Sequence, residues 1–324
     1  MKTILRKISA LLILFLIFQT SCNPVNSKPP FASPSPTRLP AISTIQSPTQ
    51  VGETATPSAT PNLPMTFAVI GDYGMGNENE RKVADLVLSW QPDLIITTGD
   101  DNYPDGSTKT IDRNIGQYYH SYIFPYDGSY GAGASENRFF PSLGNHDWVT
   151  DNAQPYLDYF SLPGNERYYS FQHGPVTFFA IDSDSHEPDK VDQNSIQAEW
   201  LHQQLTLSTT PWNIVYFHHP PYSSGMHGPN VWMQWPFKEW GADLVLSGHD
   251  HTYERLQIDN LTYIVNGLGG AREYDFGKPL DGSLVRYNQE IGAMLVEATA
   301  ESLRIQFFNV STEIVDDTQV NATP

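Results

Sequence analysis

The chain has only one cysteine, Cys22, in 324 residues, so it can form no internal disulfide and can build neither a thiolate-rich metal site nor an iron–sulfur cluster. It is also short of positive charge: 18 lysines and arginines stand against 36 aspartates and glutamates, a formal net charge of -18. Such a balance argues against a nucleic-acid backbone as partner. A small phosphate-bearing molecule stays compatible, because a bound metal ion can override the global field locally. The apolar run Leu11–Phe18 is too short to span a bilayer. Catalytic signatures are missing too. There is no Walker-type Gly-Lys-Ser/Thr and no serine elbow near His218, and Gly71-Asp-Tyr-Gly-Met-Gly76 lacks the glycine spacing of a dinucleotide fingerprint.

Lys2, Arg6 and Lys7, the apolar run after them and Gln19-Thr-Ser-Cys22 have the order of an export signal: basic head, short apolar centre, small residues before a cut. The cysteine after Thr-Ser resembles a bacterial lipoprotein cleavage site. Residues 1–21 are therefore expected to be a lipoprotein-type signal, with a lipidated Cys22 attaching the protein to the cell surface or the periplasmic face; plain secretion is the alternative. Residues 22–64 are rich in Pro, Ser and Thr and have no hydrophobic period, which predicts a disordered, extended tether. Five basic residues and one acidic residue precede position 65, leaving 13 basic and 35 acidic residues in the remainder.

From 65 to 311 strand and helix patterns alternate first, and strands dominate later, which predicts one α/β domain. Strands are expected at Thr66–Ile70, Asp93–Thr98, Arg138–Leu143, Tyr168–Phe171, Val176–Ile181, Asn213–Phe217 and Asp243–Leu246, then at Thr252–Ile258, Thr262–Val265, Ala293–Val296 and Leu303–Phe308. Helices are expected at Asn77–Trp90, Ile111–Tyr122, Ser195–Leu207 and Val231–Trp240, the third with Ile196, Trp200, Leu201 and Leu205 facing inward, and a short helix or turn at Tyr156–Phe160. Residues 312–324 read as a polar, frayed tail.

Five strands run straight into polar groups: Gly71-Asp72-Tyr73-Gly74, Gly99-Asp100-Asp101-Asn102-Tyr103, Gly144-Asn145-His146-Asp147, His218-His219-Pro220 and Gly248-His249-Asp250-His251. In an open α/β sheet the ligand crevice lies at the carboxyl ends of the strands. One Gly-Asp after a strand is an ordinary turn, but five such ends meeting would crowd charges that cations can neutralise. The donors are carboxylate, imidazole, amide and phenol, a set that suits hard or borderline ions. They are too many for one ion. Two ions sharing Asp100 fit better, an arrangement suited to phosphoryl hydrolysis.

With His227 nine residues after His218 and Tyr103 three after Asp100, these motifs resemble the calcineurin-like metallophosphoesterases. More narrowly they resemble the purple acid phosphatases of the small, single-domain, tartrate-resistant type, over about residues 66–310. The resemblance implies two packed mixed β-sheets flanked by helices. It implies an acid phosphatase that hydrolyses small phosphate monoesters through a hydroxide activated by two metal ions. The alternatives are a phosphodiesterase or nucleotide hydrolase on the same centre, and a non-catalytic cell-surface binding module. By the same resemblance Asp72, Asp100, Tyr103 and His251 would hold Fe(III), with Asp100 bridging. Asn145, His218 and His249 would hold Fe(II), Zn(II) or Mn(II). His146 and His227 would face the phosphate as catalytic groups. Asp147 is read as orienting His146, and His219 as either supporting the site or packing on the sheet. His120, His173, His186 and His202 read as surface groups.

Overall fold

The computed structural model describes residues 64–322. The expected export signal, Cys22 and nearly all of the tether lie outside the described residues. Strand β1 (Met65–Ile70) leads into helix α1 (Glu78–Trp90), which returns the chain to β2 (Leu94–Thr97), parallel to β1. Asn77 starts the helix by accepting the N–H groups of Asn79 and Glu80 at 3.0 and 3.1 Å. The expected helix over 111–122 is broken into a π-helical turn (Asp112–Gly116), α2 (Gln117–Tyr119) and a 3-10 turn (His120–Tyr122). Asn114, on the π-turn, is fully buried and donates to the carbonyls of Gly74 and Tyr103 at 2.7 and 2.9 Å. Tertiary hydrogen bonding thus accompanies the departure from α-geometry that the apolar spacing predicts.

Strand β3 is only Phe139–Phe140, followed by α3 (Gln154–Tyr159), β4 (Tyr169–His173), β5 (Val176–Ala180), α4 (Ile196–Leu207) and β6 (Trp212–Tyr216). After α5 (Phe237–Trp240) the chain is strand-rich: β7 (Leu244–Ser247), β8 (Tyr253–Ile258), β9 (Leu261–Asn266), β10 (Ser283–Tyr287), β11 (Gly292–Ala298), β12 (Ser302–Asn309) and β13 (Ile314–Asn321). They form two mixed sheets, ordered β13-β12-β11-β1-β2-β3 and β10-β8-β9-β7-β6-β5-β4. Alternation decides what each face of the second sheet touches. Phe178, Ala180, Ile214, Tyr216, Leu244 and Leu246 join the core that includes Phe67, Val69, Val296 and Ile305 of the first sheet. Phe179, Val215 and Val245 instead pack with Leu201 and Leu205 of α4 and Phe237 of α5. The architecture is the expected one, two mixed sheets flanked by helices.

Three local expectations are corrected. Ile196 is 64% exposed, and the inner face of α4 is Gln197, Ala198, Leu201 and Leu205. Gln197 tolerates burial because its amide takes the Asp182 N–H at 2.6 Å and donates to the Asp182 carbonyl at 2.9 Å. The helix expected over 231–240 is a 3-10 turn (Val231–Met233) and the short α5, with Pro236, which has no N–H to donate, immediately before α5. The tail is not frayed, since Ile314–Asn321 pairs antiparallel with β12 as an edge strand. Its Asp316 is buried and accepts from Tyr253 Oη at 2.8 Å and Arg255 Nε at 2.6 Å.

Replacing Asp316 with Ala leaves a mostly buried guanidinium and a buried phenol without their shared acceptor, so stability should fall by about 3 kcal/mol in denaturant titration. A loss under half a kcal/mol would mean that the strand does not hold this pair in solution.

Candidate metal centre

The parallel strands of the two sheets end on the same side of the molecule, and their carboxyl ends carry the polar groups. Asp72 follows β1, Asp100 follows β2, Asn145 and His146 come after β3, His218 follows β6, and His249 and His251 lie between β7 and β8. Three of these residues, Asp72, Asp100 and His249, have φ of 56, 55 and 68°, in the left-handed region that non-glycine residues rarely adopt. Glycine is the residue that ordinarily supplies such a turn, and a glycine stands beside each of these three groups. The structure gives most of them a different task, which is room. A Cβ on Gly144 would stand 2.2 Å from both Asp100 N and Asp100 Oδ1. Gly99, at φ 87°, does both jobs, since its Cβ would also lie 2.8 Å from His218 Nδ1.

The donor atoms gather into two groups that share Asp100. Tyr103 Oη lies 2.8 Å from Asp100 Oδ2, 3.3 Å from Asp72 Oδ1 and 3.2 Å from His251 Nε2, and His251 Nε2 lies 3.3 Å from Asp72 Oδ1. On the other side His218 Nε2 lies 3.4 Å from Asp100 Oδ1, 3.0 Å from Asn145 Oδ1 and 3.2 Å from His249 Nδ1. Separations of this size are the edges expected between ligands each about 2.0–2.2 Å from a shared ion. Proton count agrees. His218 Nδ1 donates to the Thr98 carbonyl at 2.8 Å and His251 Nδ1 to the Arg272 carbonyl at 2.7 Å, which leaves each Nε2 as a lone pair aimed at its group. In the first group the single Tyr103 hydroxyl proton faces three acceptors. In the second, the His218 Nε2 lone pair faces the Asn145 Oδ1 acceptor. Acceptors converging with too few protons are what a cation satisfies, so the residues present fit a pair of metal ions. Asp72, Asp100 and His218 form one set that could hold an ion, and His218, His219 and His249 another.

Electrostatics favour the neutral, metal-binding form of His218, His219 and His249 but not of His251. Burial pushes His218 down to about 4 and, with His218 beside it, His219 down to about 3. Burial and the neighbouring imidazoles lower His249 as well. Burial alone would lower His251, but the hydrogen bond and charge of Asp72 turn its net shift upward. Burial raises Asp100.

Sequence reasoning misplaced one role and missed several. Asp147 does not touch the His146 ring. It is buried, and its carboxylate accepts the backbone N–H groups of Gly144, Asp101 and Asn102 at 2.9, 3.2 and 3.1 Å, tying the loop after β3 to the loop after β2. The His146 ring is oriented by the Pro104 carbonyl, 2.6 Å from Nδ1. His219 belongs with the site: its Nδ1 lies 3.0 Å from Ser183 Oγ, and its ring is 4.4 Å from that of His249. Asp182 is buried and accepts from Trp148 Nε1 at 2.9 Å. His227 stacks on His249 with ring centres 4.4 Å apart. Tyr274, unmarked by any motif, stacks on His251 at 4.0 Å. The glycines of 267–270 were the available signal for that loop, because Gly269 N and Ala271 N donate to the carbonyls of Gly71 and Asp72 at 2.9 Å each.

Carboxylate and imidazole donors at the strand ends of a two-sheet sandwich form a candidate centre for two metal ions. Residues 65–253 match the calcineurin-like phosphoesterase family model, and the chain belongs to that family. It is related to the purple acid phosphatases at moderate identity. It is 27% identical to a purple acid phosphatase of Glycine max over 234 residues, 65% of this chain and 48% of that protein. It is 26% identical to the Fe(3+)-Zn(2+) purple acid phosphatase 12 of Arabidopsis thaliana over 235 residues, again 65% and 48%. The chain thus spans about half the length of these relatives. A purple acid phosphatase from yellow lupin (Lupinus luteus) seeds has the same fold, with a TM-score of 0.64 at 16% identity, over 79% of this chain and 53% of that one.

A Gly144→Ala variant should push Asp100 aside, cost about 1–3 kcal/mol and lose bound metal, read by thermal melting and elemental analysis. Gly277→Ala, whose nearest atom would be the Ser224 carbonyl at 3.4 Å, should keep both properties.

Proposed function

We propose that the chain is a phosphomonoesterase of the purple acid phosphatase kind, with two metal ions bridged by Asp100. Asp72, Asp100, Tyr103 and His251 would hold Fe(III). Asp100, Asn145, His218 and His249 would hold Fe(II), Zn(II) or Mn(II). The observation that carries the reading is the division of the Asp100 carboxylate: Oδ2 belongs to the group around Tyr103 and Oδ1 to the group around His218. When bound, such ions supply Lewis acidity and an activated nucleophile.

The side chains around them take the remaining roles. His146 is partly open to solvent, and with Nδ1 engaged by Pro104 it presents Nε2, 3.9 Å from Asp100 Oδ2, to a phosphate oxygen. His227 is exposed beside His249 and would hand a proton to the leaving oxygen. Trp148 is buried with its Nε1 held by Asp182, and the His186 ring stacks on it with ring centres 6.0 Å apart. Buried Asp147 keeps the two ligand loops in register.

Metal analysis of the purified protein should find two ions per chain, iron among them, and a visible absorption band. A Tyr103→Phe variant should retain iron and lose the band. An unchanged band would remove the purple-type assignment. Kinetics should favour an aryl phosphate monoester over the matching bis-ester, and a reversed preference would select the phosphodiesterase alternative.

A further inference from the structure

We propose that Asp250 is a positioning residue that holds His227 over the centre, a task separate from that of the metal ligands on either side of it. The inference rests on the role of His227 given above. Asp250 lies between His249 and His251 and is fully buried, yet it belongs to neither donor group. Its Oδ1 accepts the His227 backbone N–H at 2.8 Å, and its Oδ2 accepts the Ser223 hydroxyl. Ser223 Oγ in turn accepts the Gly225 N–H at 2.9 Å. Gly225 allows this close approach, since a Cβ there would stand 2.4 Å from Asp250 Cγ.

The rest of the loop is secured at its two ends. Glu254 accepts the Ser224 N–H and hydroxyl, both at 2.6 Å, and the Asn230 N–H and side-chain amide reach the Pro220 carbonyl at 2.9 and 3.0 Å. Among the described residues the His227 ring makes no hydrogen bond. Its place is set by its backbone, by stacking on His249 with ring centres 4.4 Å apart and by an edge contact with Tyr274 at 5.4 Å. Asp250 is therefore the one side chain that fixes the His227 backbone. A carboxylate suits the task because it offers acceptors on both sides and no donor. An amide could keep the His227 N–H through Oδ1 and donate to the Ser223 hydroxyl oxygen, so only removal of the carboxylate group frees the loop. The turn that carries two metal ligands thereby also carries the register of the group that faces the leaving oxygen.

A displaced proton donor matters most for a poor leaving group. Asp250→Ala should therefore lower kcat on an alkyl ester such as glycerol 2-phosphate about tenfold or more, while 4-nitrophenyl phosphate changes by less than about threefold. Metal content should stay at the wild-type value. His227→Ala should show the same leaving-group pattern, with a larger loss. If Asp250→Ala does not fold, Ser223→Ala, which removes only one of the two bonds, should show the pattern in weaker form. Equal losses on both esters in Asp250→Ala, or no loss, with metal retained and His227→Ala still selective, would overturn the role of Asp250 alone. An unselective His227→Ala would overturn the acid role of His227 and this inference with it. A protein that binds no metal would overturn the proposed function itself.

Discussion

A single carboxylate organises this molecule. Asp100 has one oxygen in each donor group, so the two groups cannot move apart without breaking their common member. Everything near it serves that position. Its backbone is in the left-handed region, Gly144 leaves space for its main chain and Oδ1, and the His146 N–H bonds Oδ1 at 2.9 Å. Behind it lie two further buried acids, Asp101 and Asp147. Burial raises both, with Asp147 reaching about 8, and their mutual charge adds to the shift in Asp101. Buried acids packed this closely are costly unless cations or hydrogen bonds compensate them. Asp147 is compensated by three backbone N–H groups and Asp101 Oδ1 by the Thr97 hydroxyl at 2.6 Å, while the buried Asp101 Oδ2 has no hydrogen-bond partner among the described residues.

The sandwich makes that arrangement affordable. Residues held in an unfavourable backbone region persist when the surroundings over-determine them. Here the strands before Asp72 and Asp100 are almost wholly buried, and backbone bonds cross between their ends: Asp72 N to Gly99 O at 3.0 Å and Gly74 N to Asp100 O at 3.4 Å. Within the second sheet Gly248 N bonds His218 O at 2.9 Å between the ends of β6 and β7, and His249 N bonds Asp72 Oδ2 at 2.9 Å across to the first sheet. The ligands are therefore set by sheet packing rather than by loop conformation alone.

Much of the fold was legible because its signals are local. Apolar runs such as Phe67–Ile70 and Leu94–Ile96 are short and buried on both faces, and Asn77 and Ser195 stand where a helix needs a cap. The failures are equally physical. The 111–122 and 231–240 segments have helical spacing, yet Asn114 is engaged by distant carbonyls and Pro236 lacks an N–H. Ile196 is apolar but sits off the buried face, while Gln197 takes its place through hydrogen bonds to Asp182. The strand Ile314–Asn321 alternates weakly and is polar, and its pairing with β12 and the Arg255–Asp316 contact hold it to the sheet.

By itself the amino-acid order determined which groups could meet: a polar cluster after each of five strands, oxygen and nitrogen donors only, and no thiolate among them. That follows from chemistry carried within a few residues. Tertiary structure decided which atom of each group faces which neighbour. The choice of Nε2 on His218 and His251 depends on carbonyls of Thr98 and Arg272, 120 and 21 residues away in the chain. The tasks of Asp147 and Asp250 likewise depend on backbone N–H groups brought to them by other loops. Hydrogen bonds between distant segments leave no period or spacing in a sequence, because their partners become neighbours only once both sheets have packed.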